Sequence, residues 1–237
     1  MRQRGCLRPF ARQGFGLVAS FTLFAALAAT PADAMDIKRV TSPGGIEAWL
    51  VESHANPLIA MRFAFRGGAA QDPEAKQGLA YFVSGMMDEG AGELDSIGFQ
   101  ERLQTLAMRV DFDAGRDVML GNVQMLSANM NESFDLLRLA MSQPRFDADA
   151  LERVRAQIIA GLKFDENDPE EVASLAWDRL AFQGHPYGRP IKGTKASIAA
   201  MRQQDLRDYV RRVFARDKLV ISVVGDIDAL VPLIGRP

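Results

Sequence analysis

Cysteine and histidine are almost missing from this chain, whose 237 residues include one cysteine, Cys6, and two histidines, His54 and His185. Cys6 falls in the N-terminal leader described below. Once that leader is removed, no thiol remains for a disulfide framework, a Cys-ligated metal or a Cys nucleophile. His54 lies in a Ser-His-Ala-Asn-Pro turn and His185 in Gly-His-Pro-Tyr-Gly, and neither has a second ligand three or four residues away. Each reads as a solvated or hydrogen-bonded loop residue. Serine hydrolase chemistry lacks its Gly-x-Ser-x-Gly turn, because Ser84 precedes Gly85 but has Phe82 two positions before it. The Walker spacing is absent too: Gly188 to Thr194 holds Lys192 and Thr194 without it and reads as a turn between two helices. The acidic groups Asp88-Glu89 and Asp165-Glu-Asn-Asp168 do not match a twelve-residue calcium loop and read as solvated helix ends. By residue chemistry alone, the mature chain is a folded domain without the parts for independent catalysis.

What is present begins with the leader. Arg2, Arg4, Arg8 and Arg12 precede an apolar run from Phe15 to about Ala29, and Ala32-Asp33-Ala34 follows. A basic n-region, a short apolar core and a small-x-small site are the layout of a cleavable secretory signal peptide over residues 1–34. A mitochondrial presequence is also rich in Arg and poor in acids, but it is amphipathic and carries no solid apolar block. The run is short for a membrane span, which takes about 20 residues. No cysteine ends it to hold a lipid, so no membrane anchor is expected after cleavage. Cleavage after Ala34 takes four of the 28 basic and one of the 30 acidic side chains, leaving 24 and 29, a net charge of −5. A mildly acidic surface argues against nucleic acid as a partner. Apolar residues make up 48% and charged residues 24%, which places residues 35–237 among globular chains, as one domain.

Periodicity gives the elements. Pro43-Gly44-Gly45 is turn chemistry, followed by strands from Ile46 to Glu52 and from Leu58 to Phe65, the second putting Met61, Phe63 and Phe65 on one face. Gly78 to Asp88 reads as an amphipathic helix, with Leu79, Phe82, Val83, Met86 and Met87 as its buried stripe and Gly90-Ala91-Gly92 as its end. A short helix runs from an Asp95 or Ser96 cap to about Ala107. A hairpin follows, Met108 to Asp113 and Val118 to Ser127, with one wet face. Four helices come next: Asn131 to Ser142; one from Ala148, capped by Asp147, with Leu151, Val154, Ile158 and Leu162 on one stripe; about Glu170 to Phe182; and one from about Asp205. Lys218 to Gly225 closes the series as a β-branched central strand. Strands, then helices, then one more strand predict a two-layer α+β domain, helices on one face of a largely antiparallel sheet.

The order of these segments, with Pro57-x-x-x-x-Arg-Phe-x-Phe-x-Gly-Gly68, Gly78-Leu-Ala, His185-Pro-Tyr-Gly-Arg-Pro-Ile-x-Gly-Thr194 and Val223-Val-Gly-Asp226, resembles the N-terminal half of the M16 family of pitrilysins and processing peptidases, from about Ile37 to Leu230. The resemblance implies the metallohydrolase fold of that family. Active members carry His-x-x-Glu-His directly after Gly-Leu-Ala, the histidines binding zinc and the Glu activating water. Those positions here are Tyr81, Ser84 and Gly85, and the family's third ligand, a Glu about 76 residues beyond the second His on a helix marked by Glu152-Arg153, falls at Gly161. The resemblance therefore implies a chain with no catalytic, cofactor or metal residue, in which Tyr81, Ser84, Gly85 and Gly161 occupy vacated positions. A phenol with a pKa near 10 is a poor lone ligand, Ser is no carboxylate base, and Gly offers no donor.

In the family, degenerate subunits pair with an intact homologue around a chamber for unfolded peptides. The resemblance thus implies a homologous M16 partner with intact His-x-x-Glu-His, zinc in that partner, peptide substrate held by the complex, and a periplasmic location after signal cleavage. The family's second homologous half is not matched, which we read as truncation in preference to a half-length subunit. The helix expected after Asp226 is cut short at Pro232, so apolar surface is expected to be exposed. The alternative is a stand-alone binding or scaffold module, or an inert fragment of such a subunit.

Overall fold

The computed structural model describes residues 36–42 and 44–227. The leader and the segment expected to continue as a helix after Asp226 lie outside the described residues, apart from Ile227.

The alternation in the second predicted strand sets the frame. Among the described residues six strands form one sheet: β1 (Lys38–Thr41), β2 (Glu47–Glu52), β3 (Leu58–Arg66), β4 (Arg109–Ala114), β5 (Val118–Leu126) and β6 (Leu219–Gly225). Ile59, Met61, Phe63 and Phe65 of β3 are buried on one face while Leu58, Ala60 and Arg62 face water. The strand order is β1-β2-β6-β3-β5-β4, and only β2 and β6 run parallel. β6 is therefore central, as its β-branched composition predicts, and β4 is an edge. Phe63 stacks edge-on against Phe65 and Phe112, at 5.9 and 5.8 Å between ring centroids. Its cross-strand partner on β5 is Gly121, where any β-carbon falls inside the Phe63 ring.

The α-helices among the described residues are α1 (Leu79–Ser84), α2 (Ser96–Thr105), α3 (Met130–Ser142), α4 (Ala148–Asp165), α5 (Pro169–Ala181), α6 (Lys195–Ala200) and α7 (Gln203–Val213). Phe82, Phe99, Leu137, Leu151, Ile198 and Tyr209 carry their apolar faces into one core with the buried side of the sheet. On the other side Trp49, Val220 and Val224 remain exposed. This is the two-layer α+β arrangement predicted from the element order. None of the described helices is long and apolar enough to cross a membrane.

Two local expectations need correction, and two short elements go unread in the sequence. The first helix stops at Ser84 rather than Asp88, with Gly85 as its C-cap. From there the Met86 N–H bonds the Val83 carbonyl at 2.9 Å, a three-residue spacing that tightens the chain into turns. Met86 and Met87 stay fully buried without being helical. Asp147 stands at the N-cap of α4 as expected, but its side chain makes no capping bond; the carboxylate instead accepts from Arg145 Nε at 2.6 Å. Gly188 to Thr194 is a turn between two helices as expected, but the second of them, α6, goes unread in the sequence; it is capped by reciprocal Thr194 and Ser197 bonds. β1, too polar and short to be read as a strand, pairs along β2 through Lys38↔Leu50 to Thr41↔Glu47.

α5 was predicted and is present, yet none of its residues is buried. Trp177 and Leu180 are each 69% exposed.

Candidate functional site

α1 owes its position to two glycines and one buried acid. Gly78 has φ +87°, and a β-carbon there would come within 2.6 Å of the Lys192 carbonyl oxygen. Gly193 has φ +77°, and its own β-carbon would collide with the Gln77 carbonyl. The loop before α6 thus packs backbone to backbone on the start of α1, which only glycine permits on both sides. Beneath that start lies Asp72, 3% exposed, whose carboxylate accepts from the Ala80 N–H at 3.2 Å. Burial pushes the Asp72 carboxyl up to about 6, against the pull of the Ala80, Leu79 and Gly78 N–H groups and the charge of Arg212. The N-terminal end of a helix favours this negative charge.

From that anchored start, α1 presents Tyr81 and Ser84, and after them its C-cap Gly85, toward α4. Tyr81 is half-buried. Ser84 is buried, and its hydroxyl donates to the Tyr81 carbonyl at 2.9 Å, so it is committed to the helix backbone. A β-carbon on Gly85 would touch Val154 of α4 at 3.4 Å, and one on Gly161 would meet nothing within 4 Å. All four positions line one cleft of about 410 Å³. The predicted α4 stripe divides in two there: Leu151 and Val154 are core, whereas Ile158 and Leu162 are half-buried and form the cleft wall with Phe112 of β4. Asp113, Asp165 and Lys192 stand at the rim.

The cleft continues past Tyr81, Leu162 and Lys192 into a second space of about 860 Å³ between α4, α5 and the end of β4. Ion pairs brace its walls. Lys192 Nζ lies 2.8 Å from Asp165 and 3.2 Å from Glu171, Lys195 reaches Glu166 at 2.6 Å, and Arg116 pairs with Asp178.

Two acidic groups read as solvated helix ends are in fact tied into the structure. Arg153 of α4 holds Glu89 with both guanidinium nitrogens, at 2.9 and 2.5 Å, and the Ser96 hydroxyl donates to the same carboxylate at 2.5 Å. These bonds hold the Glu89 carboxyl below the usual range, while burial beside Glu89 pushes the Asp88 carboxyl up. Asp165 is held by Lys192. The histidines take the hydrogen-bonded loop roles expected of them. His54 Nδ1 sits 2.7 Å from Asp226, which also accepts from Ser127 at 2.7 Å, and His185 Nδ1 accepts from the Tyr187 N–H at 3.2 Å.

Chemically, the cleft can bind but offers little to react with. A phenol, a hydroxyl spent on a backbone carbonyl and two glycines do not make a zinc donor set. Among the described residues, no group of three or more His, Cys, Asp or Glu side chains could hold a metal ion. The residues present do not fit the zinc of active M16 peptidases. The edge strand β4 has no strand partner on its outer side among the described residues, so an unused row of backbone donors and acceptors runs beside the cleft.

Comparison with known proteins agrees with this architecture. Residues 49–195 match the insulinase family, peptidase family M16. A non-peptidase homolog, YmxG, of Helicobacter pylori is 30% identical over 176 residues, covering 74% of this chain and 41% of that protein. An uncharacterized zinc protease, YmxG, of Bacillus subtilis is 22% identical over 191 residues, covering 81% of this chain and 47% of that one. A crystal structure of a peptidase M16 inactive domain from Pseudomonas fluorescens superposes with a TM-score of 0.78 at 25% identity, covering 82% of this chain and 47% of that one. This chain spans less than half the length of these relatives. With its six-stranded sheet, its helical layer and its match over residues 49–195, it belongs to the insulinase family of M16 peptidases.

Proposed function

We propose that this chain is a non-catalytic subunit of a periplasmic M16-type zinc peptidase, supporting a homologous partner that carries an intact His-x-x-Glu-His and forming part of the chamber that holds the peptide. The observation that carries this reading is the cleft itself. Tyr81, Ser84, Gly85 and Gly161 come together where the resemblance puts a zinc site, and they supply no donor set, while the parts that shape the cleft are intact. Asp72 under α1, the Gly78 and Gly193 contact and the Glu89–Arg153 pair all hold walls in place around an absent reaction centre.

A metal-free subunit still contributes to catalysis if it orients an extended peptide, because interactions made in the transition state lower the barrier at the partner's zinc. The open edge of β4 gives such a peptide main-chain hydrogen bonds. The secretory layout of residues 1–34 supports the periplasm. Zinc belongs to the partner in this account.

The test mixes the purified chain with a homologue bearing the intact motif and follows a fluorogenic peptide. Hydrolysis is expected from the mixture at a rate the homologue alone does not reach, and none from this chain alone. Chelator-sensitive hydrolysis by this chain alone contradicts the reading. Peptide binding without any stimulation of a homologue identifies a stand-alone binding module instead.

A further inference from the structure

We propose that residues 163–182, the end of α4 with all of α5, form a hinged helical flap over the larger space, latched shut by acids on the flap and cations on the body. The flap is a property of the chain alone, independent of its reading as a subunit.

The flap adds nothing to the core. The buried residues of α4 are Ala150, Leu151 and Val154, all in its first half. Beyond Leu162, no residue up to Phe182 is buried or belongs to the apolar side chains packed on the core. Swinging the flap away therefore uncovers little apolar surface that water does not already reach. α5 also carries its own helix signals. The Asp168 carboxylate accepts from the Glu170 N–H at 2.9 Å, Pro169 opens the first turn, and Glu170, Glu171 and Arg179 suit the helix dipole. These local bonds favour movement of the helix as one piece.

Glycines stand at both ends. Gly161 interrupts α4 just before the flap, and Gly184 follows it at φ +73°; a β-carbon at either position would meet nothing within 4 Å. Neither bend has a steric neighbour to stop it. Past Gly184 the chain is pinned again, because Tyr187 Oη donates to Asp117 at 2.6 Å and Arg189 Nη1 to the Asp72 carbonyl at 3.0 Å.

The latch separates charge by side. Asp165, Glu166, Glu171 and Asp178 stand on the flap, and all their ion-pair partners stand on the body. Lys192 Nζ holds Asp165 at 2.8 Å and Glu171 at 3.2 Å, Lys195 holds Glu166 at 2.6 Å, and Arg116 holds Asp178. Each partly exposed pair is weak alone, but all four act on one piece. The closed flap bounds the space of about 860 Å³ through Val172, Leu175 and Asp178, so its swing opens that space.

The experiment uses the full chain with Cys6→Ser and spin labels on Ala176→Cys of α5 and Gln124→Cys of β5, both exposed positions. Pulsed electron paramagnetic resonance reads the distance between the labels. One short distance is expected to dominate at about 0.1 M sodium chloride. A longer one is expected to gain population at about 1 M, where charges act over about 3 Å instead of about 10 Å. Glu166→Gln, Glu171→Gln and Asp178→Asn together are expected to raise the ratio of long to short about tenfold at the lower salt, as three modest pairs are lost. Helix content by circular dichroism is expected to stay at the parent value. A single unchanged distance at both salts and in the triple variant overturns the flap. A longer distance that comes with loss of helix content also overturns it, because α5 then melts instead of hinging.

Discussion

Arg153 grips Glu89 across 64 residues of sequence, Nη1 to Oε1 at 2.9 Å and Nη2 to Oε2 at 2.5 Å, and so ties the turn after α1 to the N-terminal part of α4. These are the two sides of the cleft. Neither α1, six residues long, nor the turns behind it has much intrinsic stability, so this two-pronged bond helps fix the cleft width.

Arg153→Ala is therefore expected to cost about 1–2 kcal/mol, less than a fully buried charged bond because the Arg side chain is half exposed. For a domain of this size, the melting temperature falls by about 2–4 °C per kcal/mol. The pH dependence has a defined sign. Arg153 holds the Glu89 carboxyl below its ordinary value. Its stabilisation is present above the ordinary carboxylate range and is lost as pH falls through the lowered value. Urea unfolding across the acid limb should show that loss in the parent and less of it in Arg153→Ala.

Asp72 acts in the opposite sense. Its carboxyl, raised by burial to about 6 from 3.8, binds a proton more readily in the folded chain than in the unfolded one. Its ionisation therefore weakens the fold as pH rises through about 6, by at most about 3 kcal/mol, and the fold regains this as pH falls toward 4. Asp72→Asn keeps the shape and removes the titration. The difference in unfolding free energy between parent and variant should change across this window, and a difference constant from about pH 4 to 8 would contradict the assignment.

The glycines near the cleft separate into two kinds. Gly78→Ala and Gly193→Ala place a β-carbon against backbone at positive φ, and each should destabilise by about 2 kcal/mol or more. Gly161→Ala, in open space on α4, should stabilise by up to about 1 kcal/mol through helix propensity. Equal effects at the three positions in denaturant titrations would count against this division.

Much of this was readable in the sequence because the pattern was local. β3 alternates Ile59, Met61, Phe63 and Phe65 with polar or small residues, and the structure buries that same set. Where the pattern and the backbone part company, the pattern misleads. Met86 and Met87 continue a helical stripe and are buried, but Gly85 ends the helix before them, so burial was legible and backbone shape was not. β1 is four mostly polar residues held as an edge by β2, and α6 is a six-residue helix set by its cap; both are too short to show a period. The site was the least local part. Gly161 lies 76 residues beyond Gly85, and only the family resemblance joined them, while the Glu89–Arg153 pair left no signal in spacing at all.

The most direct test is zinc stoichiometry, measured by metal analysis after dialysis, for the parent chain and for a variant with ligands restored by Tyr81→His, Gly85→His and Gly161→Glu. All three positions are half-buried or exposed, so the substitutions reach the cleft without opening the core. If the cleft is a zinc seat that has lost its donors, the parent retains no zinc and the restored variant holds one per chain. Stoichiometric zinc in the parent, or none in the folded restored variant, would contradict it.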